Sequence, residues 1–322
     1  MPRPPAKRDL VSLRDAAADL PKLLARAAAL KAERRRGTLR PTLRGKTLAL
    51  IFEKPSTRTR VSFEVGIRDL GGNAVYLSAR DLQLGRGETI ADTARILSRY
   101  CDAIAYRAFR HADVIELARA ATVPVINALD EVEHPCQIVA DLLTMSERWN
   151  GRFRGHRLAW IGDGNNVLHS LLIGSAAVGL DLTVATPEKY RPRPEVVAQA
   201  AELGRTSGAN VSFVTDPATA ARGADAVYTD VWVSMGEEAE QAAREAAFQG
   251  FQVNSSLLAL AAPNAFVLHD LPAHRGQEIT SEVLDGPRSA AWDQAENRLH
   301  AQKAILELLV RSPARRPGRA RR

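Results

Sequence analysis

The sequence predicts an α/β protein made of two doubly wound domains, each a mostly parallel sheet with helices on both faces. Three observations predict it. Short apolar runs of strand length alternate with longer amphipathic stretches. The alternation falls into two series, separated by one helix-like segment near residues 134–150. The 322 residues also suit one large or two medium domains, at about 100–200 residues each.

The first series opens with TLALIF (47–52), a short apolar run bounded by polar turns and read as a strand. EKPSTRTR follows, then VSFEVGIRDL (61–70), a helix stopped by Gly71-Gly72. Residues 73–78 form the next strand, 88–100 a helix, 102–107 a strand, 112–121 a helix and 124–129 a strand. QIVADLLTMSERW (137–149) is a helix between the two series. The second series has a strand at 157–162, a helix at 166–180, and strands at 181–186, 225–232 and 265–271. It ends in a long amphipathic helix, 290–310. Ligands of such folds bind beyond the carboxyl ends of the strands.

Composition bounds the function. With 45% apolar and 25% charged residues, the chain is globular in type. Cys101 and Cys136 cannot staple a fold of this size, and they suit a reducing, cytoplasmic setting. No run reaches the ~18 apolar residues of a membrane span, and MPRPPAKRDL lacks the apolar segment of a secretory signal. The net charge of +7 belongs to the ends: without the nine Lys and Arg of residues 1–8 and 311–322 it becomes −2. Both ends read as basic disordered tails. A basic groove for nucleic acid is not expected on the folded body.

Six segments at strand ends carry candidate chemistry. Ser56-Thr57-Arg58-Thr59-Arg60 opens a helix, where free backbone N–H groups and the macrodipole favour an anion. Its hydroxyls and guanidiniums add donors suited to phosphate; a simple N-cap would need one hydroxyl and no arginine. Arg107 ends a strand, and taken alone reads as a surface arginine. His134-Pro135-Cys136-Gln137 offers a histidine to donate to a carbonyl oxygen gaining negative charge, and a glutamine to position an amide. Its bland reading is a histidine near an N-cap, and no third group orients Cys136 beside it as a nucleophile. Gly162-Asp163-Gly164-Asn165-Asn166-Val167 imitates a dinucleotide fingerprint, but Val167 replaces its third glycine and no acid ends the next strand. A nicotinamide cofactor is not expected, and Asn166 is free to hold a polar substrate. Asp230, in DVWVSMG, offers a carboxylate to an ammonium, or simply forms a turn. His269 and Asp270 end a strand side by side; neighbours in a strand point to opposite faces, so they do not share a metal ion.

Together FEKPSTRTR, DLQLGRGETIADTARILSRY, HPCQ, GDGNNV, DVWVSMGEE, LPAHRGQE and WDQAENRLHAQKA resemble, in order and from about residue 9 to 310, the aspartate/ornithine carbamoyltransferases. The SMG after DVW points to the ornithine branch. The resemblance implies transfer of a carbamoyl group from carbamoyl phosphate to the δ-amine of L-ornithine, as in arginine biosynthesis, with no metal or organic cofactor. It implies a carbamoyl-phosphate domain at 9–136, an ornithine domain at 137–290, a helix at 291–310 returning to the first, and an active site in the cleft. Carbamoyl phosphate falls to Ser56, Thr57, Arg58, Thr59, Arg107, His134, Gln137, Leu271 and Arg298. Ornithine falls to Asn166, Asp230, Ser234 and Met235. Gln83 is implied to reach a neighbouring subunit's site in a homotrimer or a multiple of one.

One position departs from the resemblance, which implies His-Cys-Leu-Pro where the chain has His269-Asp270-Leu271-Pro272. A thiol of pKa ~8.5 becomes a carboxyl of pKa ~3.9. Beside Asp230 such a charge attracts an ammonium, and also raises its pKa, leaving less neutral nucleophile. Asp270 is therefore expected either to accept the amine's hydrogen bond or proton in the cysteine's place, or to impair turnover. Further alternatives are a non-catalytic subunit that binds carbamoyl phosphate and an enzyme for another amine.

Overall fold

The computed structural model describes residues 7–80, 82–84, 87–234 and 238–310. Residues 1–6 and 311–322, read as tails, lie outside these. Lys7 and Arg8, read with the first tail, are instead tied down by Asp9 at 2.9 Å and Asp19 at 2.5 Å.

After a short 3-10 segment (Leu13–Asp19), the first half runs α1 (Leu20–Arg35), β1 (Thr47–Phe52), α2 (Thr57–Asp69), β2 (Asn73–Ser78), α3 (Ile90–Tyr100), β3 (Ala103–Arg107), α4 (His111–Ala120), β4 (Val125–Leu129) and α5 (Pro135–Arg148). The second runs β5 (Arg157–Ile161), α6 (Asn166–Val178), β6 (Asp181–Ala185), α7 (Pro194–Ser207), β7 (Val211–Val214), α8 (Pro217–Ala221) and β8 (Ala226–Thr229). It continues through α9 (Gln241–Ala247), α10 (Ser255–Leu258), β9 (Phe266–His269), α11 (Ser281–Leu284) and α12 (Ala291–Val310).

All pairings between these strands are parallel, in the orders β2-β1-β3-β4 and β7-β6-β5-β8-β9. The inner strands are buried almost end to end, as strands covered on both faces must be. Each sheet has a switch point where the chain reverses direction along the strand order: β1/β3 in the first, β5/β8 in the second. Loops at a switch point diverge and leave a crevice at the carboxyl ends.

The sequence reading missed α1, although Leu20, Leu23, Leu24, Ala27 and Leu30 bury one stripe at helical spacing. It also missed α7 and the half-exposed edge strand β7. Two strands end two or more residues earlier than expected. β8 stops at Thr229 because Trp232 turns away to stack on Phe248, centroids 5.7 Å apart. β9 stops at His269 before Pro272, which has no N–H for a ladder. The last helix, α12, packs on α1, α2 and α5, burying one side chain after another along its length.

Gly164, part of the apparent dinucleotide motif, has a packing role. Its N–H donates to Tyr190 O at 2.9 Å, and a Cβ there would lie 2.5 Å from Pro192 N. Gly164→Ala must push two backbone segments apart, so a loss of about 2 kcal/mol is expected. A urea-unfolding midpoint equal to the parent's would refute it.

Candidate active site

A cavity of about 420 Å³ lies where both switch points meet, lined by loops after β1, β3, β4, β5, β8 and β9 and by α12. Lining residues from the first half include Lys54 to Thr59, Arg107, Leu129 and His134. The second half supplies Asn166, Asp230, Val231, Val233, Ser234, Asp270, Leu271 and His274, and α12 supplies Arg298.

The Ser56–Thr59 segment serves two ends. Ser56 does cap α2, accepting from Thr59 N at 3.3 Å, and the first turn of α2 faces the cavity. Arg58 and Arg60 separate, as residues two apart on a helix must. Arg58 enters the cavity and donates to Leu271 O at 2.7 Å. Arg60 turns outward to Glu64 at 2.9 Å and lies over the Tyr76 ring, so its guanidinium does not join the anion cradle.

Arg107 is no surface arginine: it is 4% exposed. The β3–β4 register shifts between Tyr106 and Arg107, opposite Leu129, whose φ is 154°. Such a bulge re-aims side chains at a sheet's end. His134, at the start of α5, and Arg298 are similarly buried. Arg298 donates to Gln137 Oε1, and to Thr59 Oγ1 at 3.0 Å. Arg107 Nε, His134 Nδ1, Arg298 Nε and Asp270 Oδ1 are buried without a protein hydrogen-bond partner among the described residues. Buried polar groups of this kind call for a partner.

This wall is strongly cationic. Burial and the neighbouring Arg298 and Arg58 bring Arg107 down to about 10, which still leaves it charged at neutral pH. Burial and the same cluster hold His134 well below the usual histidine range, so it is a neutral imidazole. It can donate one hydrogen bond without adding a fourth charge.

The opposite wall is acidic. Asp230, 5% exposed, accepts from Asn165 Nδ2 at 2.8 Å. Asn165 also caps α6 through Val167 N and Leu168 N, at 3.0 and 3.1 Å. Burial and the adjacent Asp270 push Asp230 up to about 7. Asp270 is itself raised by burial, against the pull of Arg298, Arg58, His269 and Arg107; its Oδ1 lies 3.8 Å from Arg298 Nη1. His269 points the other way, to Glu278 at 3.1 Å, as the alternation of strand side chains requires. Its Nδ1 accepts from Leu271 N at 2.8 Å, bracing a residue held at φ +60°.

Among the sequence-predicted site residues, Ser56, Thr57, Arg58, Thr59, Arg107, His134, Asn166, Asp230, Ser234, Asp270, Leu271 and Arg298 share this cavity. Gln137 stands directly behind Arg298. Asn166 donates to Asp130 O at 2.6 Å. Gln83 is exposed and is not among the lining residues. Met235 lies outside the described residues. Cys136 is core: its thiol touches Asn127 O at 3.4 Å and burial pushes it up to about 12. Lys54, Leu129 and Asn165 were missed, although a helix-start Asn is itself an N-cap signal.

The chain is similar to known proteins over nearly all of its described length. The carbamoyl-phosphate-binding domain of the aspartate/ornithine carbamoyltransferases matches residues 8–147, and their Asp/Orn-binding domain matches residues 154–309. An ornithine carbamoyltransferase of Methanoculleus marisnigri is 55% identical over 305 residues, 94% of this chain and 97% of that one. The anabolic ornithine carbamoyltransferase of Pyrococcus furiosus is 52% identical, over 95% of this chain and 97% of its own. The solved ornithine carbamoyltransferase structure from that organism superposes with a TM-score of 0.91, over 95% of this chain and 97% of that one.

Proposed function

This chain belongs to the aspartate/ornithine carbamoyltransferase family, and on that premise we propose that it transfers the carbamoyl group of carbamoyl phosphate to the δ-amine of L-ornithine, giving L-citrulline and phosphate. One observation carries the reading: a cavity with a cationic wall from one sheet and α12, and a carboxylate wall from the other. That polarity suits an anionic acyl phosphate facing an ammonium.

In this reading Ser56, Thr57, Thr59, Arg58 and Arg107 hold the phosphate. His134 donates to the carbamoyl oxygen as it gains charge, and Arg298 stabilises the same oxyanion. Gln137 Oε1 and Leu271 O accept from the carbamoyl amine. Asp230, with Asn166, Ser234 and Met235, holds ornithine. The neutral δ-nitrogen attacks the carbonyl carbon, and the carbon–oxygen bond to phosphate breaks with its electron pair leaving on phosphate. The nitrogen's surplus proton goes to Asp270 or to the phosphate. Closure of the two halves aligns the reactants and excludes water.

We assign residues 9–136 to carbamoyl phosphate and 137–290 to ornithine, with 291–310 completing the first site. We also propose a homotrimer, or a multiple of one, in which Gln83 reaches a neighbouring subunit's site. The step suits arginine biosynthesis in a reducing, cytoplasmic setting; Cys101 and Cys136 are unpaired.

The test is citrulline formation by the purified chain across pH 6–10. Turnover supports the reading. A protein that binds carbamoyl phosphate yet makes no citrulline at any pH overturns it. Asp230→Asn removes one of the acidic wall's two carboxyls, and its KM for ornithine is expected to rise about 100-fold, since losing one member of a buried charge pair costs about 2–5 kcal/mol. An ornithine KM within threefold of the parent's would refute the assignment.

A further inference from the structure

Behind the cationic wall, Asp141 of α5 is fully buried and forms no ion pair among the described residues. Three neutral groups donate to it. Gln137 Nε2 and Gln294 Nε2 reach Oδ1 at 2.8 and 2.7 Å, and Tyr228 OH reaches Oδ2 at 2.8 Å. Each comes from a different element: Gln137 from α5 one turn earlier, Tyr228 from β8 and Gln294 from α12. A carboxylate carries only acceptors, so it matches three donors as no neutral side chain of its size does.

The match has a consequence for the cavity. A glutamine side chain has an acceptor end and a donor end, and both ends of Gln137 are spoken for: Arg298 donates to Oε1, and Asp141 accepts from Nε2. The amide therefore has one direction.

We propose that Asp141 is a positioning residue that fixes the Gln137 amide with its oxygen toward Arg298 and the cavity, so that the site reads the carbamoyl amine as a hydrogen-bond donor. This rests on the carbamoyl-phosphate reading above. Asp141 touches no reacting atom. It acts through Gln137, and the property it controls is the preference for an acyl phosphate bearing NH₂ over one bearing CH₃. A site built to pair a polar group discriminates strongly, because the wrong ligand leaves its buried partner unmatched.

The experiment compares the affinities of carbamoyl phosphate, acetyl phosphate and inorganic phosphate by calorimetry, in the parent and in Asp141→Leu. Without its acceptor the Gln137 NH₂ is unpaired and turns to compete for the cavity. Carbamoyl phosphate affinity is expected to fall about 30-fold, that of the other two less than threefold, and KM for ornithine to stay within threefold. Parallel losses for all three ligands would make Asp141 merely structural and overturn the proposal, as would no loss. If Asp141→Leu does not fold, Asp141→Asn keeps the volume while losing the charge and turning one acceptor oxygen into a donor. It should lower the carbamoyl-to-acetyl ratio three- to tenfold, and an unchanged ratio overturns the proposal. Tyr228→Phe disturbs the same network without removing the acceptor and is expected to keep the parent ratio; a lost ratio there would also count against Asp141. A parent chain that fails to bind carbamoyl phosphate is a different failure, that of the functional reading itself.

Discussion

Arg58→Met is expected to lower kcat/KM for carbamoyl phosphate by at least about 10³, while Arg60→Met, two residues on, changes it less than threefold. Arg58 reaches into the cavity and donates to Leu271 O at 2.7 Å, whereas Arg60 pairs with Glu64 outside it. Removing one donor aimed at developing negative charge costs about 10²–10³ in rate. Arg58 adds ground-state binding of the phosphate and holds the Leu271 carbonyl, so its loss exceeds that range. The size of the effect also follows from its company. Arg298 lies close enough to lower the proton affinity of both Arg58 and Arg107, and Arg58 lowers that of Arg107 further. Such a cluster favours an anion collectively, and the loss of one member falls on all contacts to it. Steady-state kinetics with phosphate as competitive inhibitor checks this. A fall of less than tenfold would place the phosphate elsewhere, and equal losses for both variants would make the effect one of overall charge.

This contrast also shows what the sequence could and could not say. The loops after β1, β5 and β8 were legible because polar residues there interrupt runs of apolar strand, whereas Arg107 at the end of β3 passed for a surface residue. The folded chain gathers them for the reason that made them stand out: they lie at the two switch points, where loops diverge and a crevice opens. That Arg58 and Arg60 part company is a matter of helical phase, and it was missed because the helix was begun at Val61, whereas α2 starts at Thr57 and holds both arginines. Asp141 was invisible for a different reason. In QIVADLLT it looks like the solvated position of an amphipathic helix, and only the arrival of β8 and α12 turns it into a buried acceptor. Arg298 had no signal of its own on a long mixed helix and was named through resemblance alone. Buried polar residues on helices are the class that pattern does not separate from surface, because their partners come from distant segments.

Asp270 is where stability and chemistry are expected to oppose each other. Burial raises its proton affinity and that of Asp230, and the charge of Asp270 raises Asp230 further. The sign follows from linkage. Both carboxyls hold protons more readily in the folded chain than in the unfolded one, where the reference is 3.8. From about pH 4 to 7 the folded state therefore binds more protons, and stability falls as pH rises through that window. Asp270→Asn removes one buried charge and relieves the other, so the variant should melt higher than the parent at pH 8, with the difference gone by pH 4. Ornithine, bringing an ammonium to the pair, should stabilise the parent more than the variant. Catalysis should move the other way. A carboxyl with raised proton affinity is a better-matched base for the amine's proton, and Asp270→Asn is expected to lower kcat about 100-fold. Asp270→Cys, which removes the permanent charge beside the δ-ammonium, should shift the pH optimum downward because the amine then deprotonates more easily. A thermal-melt series and pH–rate profiles on the three proteins decide it. If Asp270→Cys instead raises turnover sharply at every pH, the carboxylate is a burden on the reaction, and Asp270 contributes charge to the pocket without serving as its base.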